Sequence, residues 1–384
     1  MKNFIKIIFF ILLNFCLLFS SSSKAVEKIK IGLLIPMTGL NKDLGQSIIK
    51  AVRLAVKDID NDLIEIIPKD TASKANQTLR SAFELKEMGV KIVIGPIFYE
   101  SLVYLDEVKD LTFLSLTNKT LDIPKNVIST GINSTSQLKT IKKFIEASNI
   151  KKTIFLTPIE DYEFEIKMGI KNSKIKIFKS YDYNKEPIKL TKQIEEITNY
   201  KIRKQNLEDE IRRIENSSEL NKENKIKKLE QIYTLGKLNF DAVIIADFDE
   251  SLKSVSTSLI YTDVYPQNKY FITLNQWFDK SLLNETDIQP LYYPSINKDN
   301  FDNYKNKFFN EFNEYPSHLS LLGYDLVGLI YYLSLKNNFS YSNKLFKVKN
   351  SFKGKIGIFD ISDNKINHRL NFYKMDNKKL IKIF

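Results

Sequence analysis

The feature that most restricts the fold of this chain is a repeating alternation of short apolar runs and longer amphipathic stretches. Ile29 to Ile35 reads as a buried strand, and the turn Pro36-Met37-Thr38-Gly39 follows it. From Gln46 to Ile59, residues Ile48, Ile49, Val52, Ala55, Val56 and Ile59 recur at the spacing of one helix face. Leu63 to Ile67 reads as a second strand, and Asn76 to Met88 as a helix stopped by Gly89. Lys91 to Ile94, before Gly95-Pro96, and Thr112 to Leu116 are the next strands. Strands that are apolar at every position have no face left for water. They need helices on both sides, which crossover connections supply. The expected fold class is α/β, with doubly wound parallel sheets.

The rhythm restarts after Gly131, which predicts a second lobe of the same kind. Helices are expected over Thr135 to Ala147, Asp161 to Asn172 and Glu250 to Tyr261, with strands at Thr153 to Leu156, Lys174 to Phe178, Asp241 to Ile245 and Tyr270 to Thr273. Between them, Leu190 to Leu235 is dense in Lys and Glu and has no strand pattern. Leu207, Ile211 and Ile214, then Ile226, Leu229 and Tyr233, recur at helical spacing around Asn216-Ser217-Ser218. This predicts a charged helical hairpin over residues 190–236, either a solvated helix pair or a partner-docking arm. Ser317 to Lys336 predicts a buried helix, since Gly323 and Asp325 interrupt its apolar run. Gly354 to Ile361 and His368 to Met375 predict a hairpin around Asp363-Asn364, and Lys379 to Phe384 a last strand. The expected lobes are 26–131 with 289–338, and 132–288 with 339–384.

The N-terminus predicts export from the cytoplasm. Lys2 and Lys6 precede an apolar run from Ile7 to Phe19, and Ser23 and Ala25 occupy the −3 and −1 places of an A-x-A-like cleavage site. The run is shorter than the roughly 20 residues of a membrane span. A cleaved signal peptide over 1–25 is expected, with an uncleaved anchor as the alternative. Leu13-Asn14-Phe15 before Cys16 puts a bulky residue where lipidation needs a small one, which argues against a lipid anchor. The mature chain then has no membrane span, and it has no cysteine for disulfides or thiolate chemistry.

Removing Lys2, Lys6 and Lys24 lowers the net charge from +12 to +9. That excess does not predict nucleic-acid binding. Lysines outnumber arginines 52 to 6, whereas phosphate-reading surfaces favour the planar fork of Arg. The two histidines, His318 and His368, lack metal-ligand neighbours and read as surface or helix-start residues. No nucleophile elbow, phosphate loop or dinucleotide fingerprint is present, so neither an enzyme nor a cofactor or metal is expected.

Ligands in open α/β sheets bind beyond the carboxyl ends of the strands. The candidate cleft residues are therefore Tyr99, Ser101, Ser115, Thr117 and Asn118 in the first lobe. Tyr162, Asp247, Asn275 and Trp277 are their counterparts in the second. Hydroxyls, amides and aromatic faces converging on one crevice suit a small polar ligand.

Gly32-Leu33-Leu34-Ile35-Pro36-Met37-Thr38-Gly39, with Gly45 opening a helix that carries Ala51 and Ala55, resembles the start of the leucine-binding receptor domain. Ile94-Gly95-Pro96 with Ser101, and Leu114-Ser115 with Thr117-Asn118, continue the likeness in order over roughly residues 28 to 375. The resemblance implies two lobes of the type I periplasmic binding protein kind, joined by crossing strands and closing like a hinged trap. Within that family, Pro68-Lys69-Asp70-Thr71, Thr234-Leu235-Gly236, Phe240-Asp241-Ala242-Val243 and Tyr324-Asp325 are similar to the penicillin-binding protein activator subgroup. That subgroup implies a periplasmic regulator of peptidoglycan synthesis that touches a peptidoglycan synthase without catalysis of its own. The alternative is a solute receptor for an importer permease, taking an amino acid or another small polar molecule. Amino-acid receptors of this fold hold the ligand ammonium with an acid after the strand matching Tyr270 to Thr273. Here that loop reads Leu274-Asn275-Gln276-Trp277, with no carboxylate, and the usual Asp-Tyr-Gly is Asp161-Tyr162-Glu163.

Overall fold

The computed structural model describes residues 28–218, 220–278, 280–337 and 343–384. The export signal expected over 1–25 lies outside the described residues. The chain opens with β1 (Ile29–Ile35), α1 (Lys42–Ile59), β2 (Ile64–Asp70), α2 (Ala75–Glu87), β3 (Ile92–Ile94), β4 (Thr112–Ser115) and β5 (Val127–Ser129). These strands form one parallel sheet in the order β2-β1-β3-β4-β5. Every residue of β3 and β4 is buried, as their unbroken apolar composition requires. The α1 helix sits so close to the β1 exit that a Cβ on Gly45 would lie 1.7 Å from the Pro36 carbonyl oxygen. Only glycine fits there, so Pro36 and Gly45 form one packing unit.

After β5 the chain crosses to the second lobe. Asn133 caps α3 (Ser134–Ala147) by accepting the Ser136 amide at 2.9 Å. Then follow β6 (Thr153–Pro158), α4 (Glu163–Ser173), β7 (Lys179–Tyr183), α5 (Pro187–Ile197), α6 (Tyr200–Glu215), α7 (Lys222–Leu229), β8 (Ala242–Ile245), α8 (Asp249–Tyr261), β9 (Tyr270–Thr273), α9 (Lys280–Asn284) and β10 (Leu291–Ser295). The chain continues through α10 (Lys298–Phe312), α11 (His318–Lys336), β11 (Asn350–Lys353), β12 (Ile358–Ser362), β13 (Lys365–Arg369), β14 (Asn371–Asp376) and β15 (Lys379–Lys382). The second sheet runs β15-β14-β10-β9-β8-β6-β7, parallel except where β14 and β15 join.

Several sequence expectations shift here. The strand expected at Lys174 to Phe178 begins at Lys179, because α4 runs to Ser173 and the next residues make its left-handed exit at Lys174. The lobe boundaries expected at 289 and 339 also fall elsewhere. Leu291 to Ser295 is β10, inside the second sheet, whereas α10 and α11 pack on β1 and α1 in the first core. The small antiparallel sheet β11-β12-β13 sends Phe359, Ile361 and Ile366 into that same first core. The hairpin at Asp363-Asn364 is present, with φ of 51° and 57°, but it joins β12 to β13 while Asn371 to Asp376 leaves for the second sheet. Among the described residues, three crossings therefore link the lobes: 130–133, 296–297 and the single residue Leu370. His368 is a buried strand residue beside the last of them, and only His318 holds the expected helix-start position.

Helix α11 is long and apolar enough to cross a membrane by composition alone. Leu321, Leu322, Leu326, Val327, Leu329 and Ile330 are all buried in the first core, which explains that composition as packing. The charged segment folds as three helices, α5 to α7. Arg203 fixes its root: buried at 5% exposure, it donates to the Thr198 carbonyl at 3.0 Å, to Thr234 Oγ1 at 2.9 Å and to the Thr262 carbonyl. The outer helix α7 has no buried residue, and Leu220 before it is 91% exposed.

Candidate functional site

A crevice of about 1120 Å³ separates the lobes where the carboxyl ends of both sheets meet. Its first-lobe wall includes Phe98, Tyr99, Thr117 and Asn118. The facing wall carries Phe248, Asp249, Asn275, Gln276, Trp277 and Phe278. Lys298, Phe301 and Tyr315, from α10 and the turn after it, close one end.

Of the residues expected to face a ligand, Tyr99, Thr117, Asn118, Asn275 and Trp277 line this crevice. Ser101, Ser115, Tyr162 and Asp247 do not. Ser101 and Ser115 are buried behind the wall, and the Ser115 hydroxyl donates to the Pro96 carbonyl at 2.8 Å. Asp247 is 2% exposed and accepts the Tyr183 hydroxyl at 2.6 Å, while Tyr162 lies beside Lys185. Burial, with Asp247 adding to it, raises the Tyr162 phenol pKa.

Two of the lining amides, Asn275 and Gln276, are engaged by the protein. Asn275 accepts Ser295 Oγ at 2.7 Å through its side chain, and its backbone donates to Gln137 Oε1 at 3.0 Å. Gln276 donates to Thr273 Oγ1 at 3.2 Å and to the Asp247 carbonyl at 3.3 Å. Tyr99 lies under Lys119, whose ammonium is 4.5 Å from the ring centre, and its hydroxyl reaches the Asp122 carbonyl at 3.2 Å. Lysines 119, 298 and 305 are balanced by Glu100, Asp249 and Asp302 along the wall. The crevice thus has no dominant charge.

The lobes also hold each other directly. Glu165 on α4 accepts the Thr120 and Leu121 amides at 2.7 Å each and Thr120 Oγ1 at 2.8 Å, all from the first-lobe loop after β4. Across the crevice, Trp277 stacks on His318 at 5.5 Å with an interplanar angle of 6°. Phe278 meets Phe301 at 6.1 Å. Trp277 and Phe278 have φ of 44° and 58°, a conformation that bulky residues adopt only when surrounding contacts enforce it. Both rings pack against the first core.

Two parallel sheets, three crossings and a crevice at the strand ends define the architecture. This is the type I periplasmic binding protein fold. The periplasmic binding protein family matches residues 28–172. No curated protein matches the sequence. Among solved structures, the C-domain of Haemophilus influenzae LpoA, a regulator of PBP1A, superposes with a TM-score of 0.63 at 15% identity, covering 92% of this chain and all of that domain. Full-length LpoA from the same organism gives 0.62 at 14% identity, covering 93% of this chain but only 59% of LpoA. The isoleucine-bound branched-chain amino acid transporter substrate binding protein LivJ of Streptococcus pneumoniae gives 0.51 at 17%, covering 93% of this chain and all of LivJ. At such identities the likeness concerns the fold. The family and these neighbours are binding or regulatory proteins.

Sequence reasoning missed Glu165, Phe278, Phe301 and His318 as interlobe residues. Nothing local marks them, since Glu165 reads as one more exposed acid on a helix. Asp70, by contrast, carries its own signal. It accepts the amides of Met37 and Ala72 at 2.7 and 2.8 Å and the Thr38 hydroxyl at 2.6 Å, tying the exits of β1 and β2 together. Burial raises its pKa, but these donors outweigh burial and hold the carboxyl below its ordinary value. The motifs around Thr38 and Asp70 are thus two halves of one turn.

Proposed function

We propose that this periplasmic binding protein is a non-catalytic regulator in the cell envelope that acts by contact with a peptidoglycan synthase. The supporting observation is that the two lobes bridge each other directly. An import receptor needs the ligand to draw its lobes together, whereas here Glu165, Trp277 and Phe278 bridge the lobes with the protein's own groups. The charged α6–α7 hairpin, anchored at its root by Arg203, supplies a surface beyond the fold's needs. Likeness to the LpoA C-domain supports the same reading.

Binding to a purified synthase of the PBP1A class from the same cell is the direct test. Association is expected, with loss when residues 206–231 are replaced by a short glycine linker that keeps Arg203 and Thr234. No association at concentrations up to about 10 µM, a weak but measurable range, would sink the proposal.

Glu165→Ala removes three interlobe acceptor contacts. It is expected to lower stability by only about 1–2 kcal/mol, since the site is partly solvated, yet to increase the radius of gyration measured by small-angle scattering. An unchanged radius would mean that the aromatic contacts alone keep the lobes together.

The second reading, a solute receptor feeding an importer, is favoured by one observation. The crevice, at about 1120 Å³, is at least as large as pockets that hold small molecules, roughly 300–1,000 Å³. A ligand at a hundred times its dissociation constant stabilises by about 2.7 kcal/mol. A thermal-shift screen of amino acids and small metabolites with no response would leave the contact regulator in place.

A further inference from the structure

Three loops at the carboxyl edge of the second sheet converge on a single ammonium group. The β6 exit brings Glu160 and Tyr162, the β7 exit Tyr183 and Lys185, and the β8 exit Asp247. Lys185 Nζ lies 3.3 Å from Asp247 Oδ1 and 3.5 Å from Glu160 Oε1. It donates to the Tyr162 hydroxyl at 3.4 Å and sits 5.7 Å from the centre of that ring. Two carboxylates, a phenol oxygen and an aromatic face, set around three N–H donors, are the chemistry by which proteins recognise a primary amine.

We infer that the second lobe contains a primary-ammonium site and that the chain fills it with its own Lys185. The deepest wall, Asp247, is organised independently of the lysine. Asp247 is 2% exposed and held by the Tyr183 hydroxyl at 2.6 Å and the Phe248 amide at 3.0 Å. A carboxylate that deep demands a cation. The lysine is the solvent-facing component: its side chain is 31% exposed, and it sits on the short loop between β7 and α5. The site lies where α/β sheets present ligands, at strand exits. Burial works against the charged form of Lys185, but the charge of Asp247 and the Tyr162 hydroxyl outweigh it and raise the amine's pKa. Phe248, next to Asp247, lines the interlobe crevice, so the filled site borders it. The inference stands apart from the choice of partner above.

Lys185→Ala deletes a propylammonium from an otherwise built site, so n-propylammonium chloride is the probe. The variant is expected to melt below the wild type and to recover in a saturable way as n-propylammonium is added. Tetramethylammonium at equal ionic strength, which has no N–H donors, should not restore it. Wild type and Lys185→Met, whose sites are filled, should not respond to either salt. A Lys185→Ala protein that melts with the wild type, or that responds to n-propylammonium no more than the wild type does, overturns the inference. Should that variant not fold, acetylation of the wild type followed by mass spectrometry decides. Lys185 is expected to react several-fold more slowly than exposed Lys189 nearby, and equal rates overturn the inference.

Discussion

Replacing His368 with glutamine is expected to make the protein progressively more stable than the wild type as the pH falls, by up to about 3 kcal/mol between pH 6.5 and 4. The imidazole is 3% exposed, and its Nε2 lies 2.8 Å from the Thr130 carbonyl. A carbonyl only accepts, so Nε2 carries the hydrogen and Nδ1 is the bare nitrogen. Among the described residues, Nδ1 is buried without a hydrogen-bond partner. Protonation would place a new N–H there with nothing to receive it. Burial therefore outweighs the backbone contacts and lowers the pKa from 6.5 to about 4. The unfolded chain binds the proton first, so the stabilisation present above pH 6.5 is lost as the pH falls through 4. Glutamine keeps an amide N–H for Thr130 and does not titrate. Urea unfolding at the two ends of this window is the measurement, and parallel pH profiles for the two proteins would refute the expectation. The position matters because His368 ties β13 to Thr130 on the first crossing and stands beside the third. Acid should loosen the hinge before it unfolds either core.

Asp325 is expected to show the opposite sign. It is 2% exposed within α11 and accepts the Lys355 and Ile356 amides at 2.8 Å each. Gly354 permits this approach, since a Cβ there would fall 2.4 Å from the carboxylate. Burial outweighs the two donors and raises the carboxyl from 3.8 to about 7. Its favourable contribution is complete below pH 3.8 and disappears as the pH rises through 7. Relative to Asp325→Asn, the wild type is expected to lose about 4 kcal/mol across that window. A pH-independent difference between the two proteins would show that the backbone donors govern the carboxylate after all. The two linkages oppose each other in overlapping windows. The wild-type profile should accordingly be flatter than that of either variant.

How much was legible in advance depended on how local each determinant is. The buried strands β1, β3, β4, β8 and β9 and the helices around them follow from apolar runs and helical spacing, which neighbours along the chain impose. The Asp363-Asn364 turn follows from two residue types that tolerate positive φ. Tyr99, Thr117 and Trp277 reach the crevice because strand exits point there in any such sheet. Ser115, Asp247 and Asn275 show the limit of that rule. The same loops supplied them, but Pro96, Tyr183 and Ser295, residues distant in sequence, took up their hydrogen bonds.

By itself the sequence determined the α/β alternation, the two-lobed plan, the charged insertion and the lack of a carboxylate after β9, because each is a pattern of residue types read along the chain. Tertiary structure alone decided that 291–295 joins the second sheet, that 358–369 packs into the first core, and that Glu165 and Trp277 bridge the two lobes. Those outcomes depend on which distant strand edge and which distant ring are free to be covered. A linear pattern records how much apolar surface must be buried, and only the folded chain selects what buries it.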